Sequence, residues 1–138
     1  MSSKVFLRIA SVLMLIHCIL HTIGFDSWKG DPDKQGVYQA MNGPKFPFMG
    51  VHRNMIEFYD GFGYASTIAM VLIVVALWVV STELASGSLA KKMILILAII
   101  LVFWGIDEII FFFPLAAGMS WLSGLCAFVA YARLNKQT

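Results

Sequence analysis

Charged side chains make up only 13% of this sequence, about half the share of an average soluble domain. With so little charge there is no basic patch to neutralise a phosphate backbone, which excludes nucleic acid as a partner. Cysteine is nearly absent. Cys18 and Cys126 are the only two, each inside an apolar run, so neither a disulfide framework nor a Cys-x-x-Cys zinc or redox motif can be built. No serine-nucleophile motif, phosphate loop or dinucleotide-binding glycine pattern occurs. Internal repeats and low-complexity tracts are absent too.

What the chain has instead is apolar sequence: 59% of its 138 residues are hydrophobic, against roughly 45–50% in soluble proteins. One domain of a membrane protein is the expectation. Four stretches are near the roughly 20 residues that a bilayer requires: Val5 to Phe25, Met55 to Thr82, Lys91 to Phe113 and Leu115 to Leu134. Lys4 and Arg8 precede the first as they would in a secretory signal, but the run is long, holds two histidines and lacks a small-x-small cleavage site, so it reads as a retained span. The predicted fold is all-α, a four-helix transmembrane bundle with the lipid bilayer as its first partner. Cys18 and Cys126 become packing residues within it.

Only one connection is long. Between Phe25 and Asn54, Trp28, Tyr38, Phe46 and Phe48 stand among Gly, Pro and charges, a composition that favours an ordered cap over disorder. A short interfacial helix is expected over Asp33 to Met41, then a turn at Asn42-Gly43-Pro44. Gly24 is expected to end the first helix. Asn54 is a plausible N-cap for the second, which puts Glu57 in its first turn. Ser81 to Ala90 reads as a small polar turn. Pro114 suits the first position of the last helix and makes the third and fourth a tight hairpin.

Orientation follows from Lys and Arg. Lys4, Arg8, Lys91, Lys92, Arg133 and Lys136 fall on the side of the termini, whereas Lys29, Lys34, Lys45 and Arg53 fall on the side of the long loop. The excess predicts cytoplasmic termini and an extracytoplasmic cap loop.

The functional candidates are the few ionisable groups inside the spans. His17 and His21 lie one turn apart on the helix face that also carries Ala10, Met14 and Gly24. Glu57, Asp60 and Tyr64 follow Arg53 at the start of the second helix. Near the end of the third, Asp107 and Glu108 are about 100° apart, so only one can face a given neighbour. Glu108 shares a face with Gly105 and is the expected inward group. Counted at about 1.5 Å per residue, His21 and His17 lie roughly 5 and 10 Å from the outer end of their helix, Glu57 and Asp60 roughly 3 to 8 Å inside theirs, and Asp107 and Glu108 roughly 8 to 9 Å. This common depth predicts an outer-leaflet polar cavity. The plain alternative is that each imidazole ties helices together through a backbone carbonyl.

The same groups admit several chemistries. His17, His21, Glu57 and Glu108 are ligand types suited to a divalent metal such as zinc, iron or manganese. They can also act as acid and base on a lipid-soluble small molecule, or carry protons or a cation. The expected role is a binding or accessory membrane protein for a small ligand, lipid or ion, with a membrane enzyme (isomerase or metal-dependent oxidoreductase) and a proton- or cation-coupled carrier, as a homo-oligomer, as alternatives.

His17-x3-His21-x2-Gly24, Met49-Gly50-x2-Arg53, Glu57-x-Tyr59-x-Gly61-Phe62-Gly63 and Phe111-x-Phe113-Pro114 together resemble an uncharacterised family of small four-helix bacterial membrane proteins. The resemblance covers most of the chain and implies a four-span fold in a bacterial inner membrane. It implies no activity. The first helix lacks the carboxylate of the small multidrug transporters of similar size.

Overall fold

The computed structural model describes residues 2–83 and 88–136. Four helices in it are long and apolar enough to cross a membrane: α1 (Ser3–Ser27), α3 (Met55–Thr82), α4 (Ser88–Phe111) and α5 (Pro114–Asn135). The described residues are all-α except for one small hairpin, as the apolar run lengths predict. Between α1 and α3 come two 3-10 turns (Trp28–Gly30 and Pro32–Lys34), a short helix α2 (Gln35–Met41) and two strands, β1 (Phe46–Phe48) and β2 (Val51–Arg53). The predicted Ser81 to Ala90 turn has its centre, residues 84–87, outside the described residues.

The contacts divide the chain into two compact units, Met1–Cys18 with Met70–Thr138, and Ile19–Ala69. The first unit is a bundle of four helical segments around Leu7, Ala10, Met14, Ile73, Leu77, Ile94, Leu101, Ala127 and Ala130, all in its buried core. α5 turns a stripe of small residues inward: Ala116, Ser120, Gly124 and Ala127 are buried. A Cβ on Gly124 would meet Leu101 Cβ at 3.3 Å and the Ala98 carbonyl at 3.4 Å, a tight fit, so the missing side chain eases the approach of α4 and α5. Serine hydroxyls use carbonyls across helices, Ser11 Oγ to Val74 O at 2.9 Å and Ser123 Oγ to Ala10 O at 3.0 Å. The guanidinium groups of Arg8 and Arg133 lie 4.9 and 5.0 Å from the ring centres of Trp78 and Phe6, attracted by the negative ring faces. Phe113, extended at φ −153° and ψ 155°, is the N-cap before Pro114, which gives the predicted tight connection.

The second unit holds the end of α1, the cap and the start of α3. Here α1 runs to Ser27, one turn past the expected stop at Gly24. Gly50 is the one described glycine with positive φ, so Gly24 stays helical and provides no left-handed cap. The cap is ordered by aromatic packing: Phe25 stacks between His21 and Tyr59 with ring centres 6.0 and 5.7 Å away, and Trp28 sits edge-on to Tyr59 at 5.4 Å and to Tyr38 at 6.2 Å. Gly63 makes room for this. A Cβ there would overlap the Phe25 ring. The Asp31 side chain accepts from the Asp33 amide at 3.1 Å and pairs with the Lys34 ammonium at 2.7 Å. Lys34 first, and the amide next, hold the Asp31 carboxyl below its ordinary range.

Asn54 caps α3 as predicted, in a reciprocal box. Its side chain accepts from the Glu57 amide at 3.1 Å, and Glu57 Oε2 accepts from the Asn54 amide at 3.0 Å. The strands pair antiparallel with Phe46 opposite Arg53 and Phe48 opposite Val51. This hairpin has no counterpart among the sequence expectations, because its two-residue turn is Met49-Gly50 and lacks the Asn or Asp that marks such turns.

Candidate functional site

A histidine and a glutamate buried in the first unit form the most concentrated polar chemistry among the described residues. α1 carries His17 on the same face as Leu7, Ala10 and Met14, each fully buried, so helical periodicity brings the imidazole into the apolar interior. α4 brings Glu108 there by the same logic, on the face of Leu101 and Gly105. Asp107, rotated by about 100°, is exposed. His17 is 4% exposed, Glu108 3% and Ser120 0%, a burial that an ionisable pair tolerates only with partners.

The partners are present. His17 Nε2 lies 3.1 Å from Glu108 Oε1. Trp104, one turn earlier on α4, donates its indole N–H to the same oxygen at 3.0 Å. Ser120 Oγ of α5 is 2.7 Å from Glu108 Oε2 and 3.3 Å from His17 Nδ1. Imidazole, carboxyl and hydroxyl therefore close a ring of three contacts that draws on α1, α4 and α5.

Counting protons round this ring shows what it can do. With Glu108 as carboxylate, it accepts from His17 Nε2–H, Trp104 and Ser120, and the Ser120 oxygen accepts Nδ1–H of an imidazolium. With Glu108 as acid, its O–H donates to Ser120 Oγ and the serine hydrogen turns to Nδ1 of a neutral imidazole. Every polar atom of the ring is partnered in both arrangements, and no heavy atom has to move between them. Remove the one shared proton and Ser120 has a single hydrogen for two acceptors, Oε2 and Nδ1. One of them is then left unpartnered in an apolar interior, at a cost of about 1–3 kcal/mol.

The other predicted site residues have separate partners in the second unit. His21 Nε2 is 3.3 Å from the Gly63 carbonyl, and the ring stacks on Phe25. Glu57 Oε1 accepts from the Lys45 ammonium at 2.8 Å while Oε2 serves the cap of α3. Asp60 pairs with Lys29 at 2.7 Å, and Lys29 also reaches Asp26 at 2.9 Å. Tyr64, more than half exposed, meets Phe25 edge-on. Arg53 Nη1 donates to the His52 carbonyl at 3.1 Å. Among the described residues no three His, Cys, Asp or Glu side chains are grouped to hold a metal ion. Cys18 is buried and Cys126 half-buried, both as thiols.

Trp104 and Ser120 were not among the expected site residues. Trp104 was detectable in principle, since i, i+4 spacing stacks it over Glu108. Ser120 had only its place in a small-residue stripe, where a hydroxyl looks like an alanine substitute.

Fold and site together describe a polytopic chain with four membrane-length helices and one buried histidine–carboxylate–hydroxyl ring. Comparison with protein-family models, with curated proteins and with solved structures finds no match.

Proposed function

We infer that this chain is a multi-pass membrane protein whose buried His17–Glu108–Ser120 ring binds an ion, and that the ion is a proton. The observation behind it is the hydrogen-bond count: the ring is complete with one shared proton and short of one bond without it. Ionisable side chains inside membrane spans mark ion or proton pathways by default. A proton also suits the geometry better than a metal or an organic ligand, because His17 and Glu108 direct their polar atoms at each other and at Ser120. Ser120 is the bridge through which the proton passes between carboxyl and imidazole. The Lys and Arg distribution supports cytoplasmic termini, and with them an outer-leaflet depth for the ring. The resemblance drawn from the short motifs supports a bacterial inner membrane.

The test is an infrared pH titration of the purified protein in lipid, following the carboxyl C=O stretch and the imidazole ring modes. A carboxyl band and an imidazole band that change together are expected, the first lost in Glu108→Gln and the second in His17→Ala. Ser120→Ala should keep both bands and separate their titrations, since the groups then communicate only through the Nε2 contact. If neither residue's band changes over the whole range in which the protein stays folded, the ring is a structural tie and the proton-binding proposal fails.

A further inference from the structure

The β1–β2 hairpin places its most exposed apolar residue where turn chemistry disfavours it. Met49 has φ +47° and Gly50 φ +86°, the two left-handed positions of a type I′ turn, for which Asn-Gly is the natural pair. A methionine there costs backbone strain that an asparagine would avoid. It is also 91% exposed. A residue that is strained and whose side chain no other part of the chain covers gains nothing from the fold itself.

The hairpin continues in the same manner. Strand alternation and the observed register put Phe46, Phe48 and Val51 on one face, with Arg53 at its base opposite Phe46, and Pro47 and His52 on the other. Phe46 stacks on Phe58 and Phe48 meets it edge-on, with ring centres 6.0 and 5.0 Å away, yet they stay 36% and 45% exposed, and Val51 44%. Phe58 is the fourth residue of α3, about 4.5 Å inside the start of that membrane-length helix. Asn54 alone separates β2 from α3. The hairpin is thus held alongside the first turn of a span, and the apolar surface continues one turn deeper to Phe62, 72% exposed. At its base stand His52 and Arg53, while Lys45 is neutralised by Glu57.

We propose that the Phe46–Arg53 hairpin is a membrane-interface anchor, its Met49 tip and Phe46/Phe48/Val51 face seated at the boundary between lipid headgroups and acyl chains. The phosphates there are the counter-charge for Arg53. The occupant is lipid because the face is joined, through Phe58 and Phe62, to the surface of a helix that the bilayer must cover. Lipid contact offsets the turn strain and selects Met over Asn at position 49. This anchor is independent of the proton ring and stands if that proposal fails.

A nitroxide attached to Met49→Cys, in a Cys18→Ala/Cys126→Ala background, tests it in phosphatidylcholine vesicles with and without phosphatidylglycerol. Power saturation should show the label colliding with oxygen in preference to an aqueous nickel chelate, about 5 Å or more below the phosphates. A label at Gln39→Cys, on exposed α2, should show the reverse. If position 49 is as open to the chelate as position 39, the hairpin stands in water and the anchor is wrong. Suppressed collisions with both reagents, accompanied by spin–spin broadening, would show a second copy covering the face and would equally overturn it. Should the cysteine-free chain not fold, Met49→Trp read by bromolipid quenching gives the same decision. Met49→Asn is expected to leave thermal stability in detergent unchanged or raised and to lower the retention of the hairpin at the interface.

Discussion

At the scale of single residues, the chemistry concentrates on His17 and Glu108, two buried ionisable groups held at 3.1 Å. Removing one partner of a buried pair leaves the other uncompensated, and such truncations cost about 3–5 kcal/mol. Glu108→Ala should therefore lower stability in mild detergent by an amount of that order. Glu108→Gln should cost less, because its amide still offers an acceptor to Trp104 and a donor or acceptor to Ser120. Combined with His17→Ala, Glu108→Gln should show a coupling of about 0.5–3 kcal/mol in a double-mutant cycle. Additivity within error would mean that the contact contributes nothing beyond its parts. Glu108 could be told from Asp107 in the sequence, because rotation along a helix is a local property. That His17 would choose Glu108 could not: the partners are 91 residues apart, and the choice turns on ångström distances that the sequence does not contain.

At the scale of elements, glycine shows how the same substitution changes sign with packing. Alanine is the better helix former by about 1 kcal/mol in either α4 or α5. A Cβ at Gly105, however, would overlap the indole of Trp121, whose N–H is held by the Val102 carbonyl at 3.2 Å. Nothing lies within 4 Å of a Cβ at Gly118. Gly105→Ala is expected to destabilise by about 1–3 kcal/mol as an overpacked contact, and Gly118→Ala to stabilise by about 0.4–1 kcal/mol. Thermal denaturation of the two variants side by side checks the contrast, and equal effects would contradict it. The helices themselves were plain in the sequence, and so was the Asn54 cap, since apolar length and capping chemistry are written within a few consecutive residues. The hairpin was not, because Met49-Gly50 imitates no turn signal and the packing of Phe46 and Phe48 against Phe58 appears only once the chain has folded back.

At the scale of the whole molecule, orientation is the property that the proposed functions share. Six Lys and Arg on the side of the termini against four on the side of the loop predict that the cap faces away from the cytoplasm. A cysteine at Lys34, exposed at the end of the second 3-10 turn, should label with an impermeant maleimide in intact cells, and one at Lys136 only after permeabilisation. The reverse pattern would turn the topology over and move the ring to the inner leaflet. What the sequence determined by itself is the number, length and apolar character of the helices, because shortage of charge over about 20 residues is enough to define a membrane-length helix. Only the tertiary structure decided which polar groups meet. His21, one turn from His17 and indistinguishable from it by spacing, took a backbone carbonyl at Gly63, while His17 took a carboxylate and a hydroxyl from α4 and α5. A carbonyl is present at every residue, so a carbonyl partner can be expected for a histidine, as the plain alternative did, but which carbonyl and for which histidine cannot be read in advance. Buried polar groups must be satisfied wherever the packing leaves them, and that packing is a property of the assembled helices.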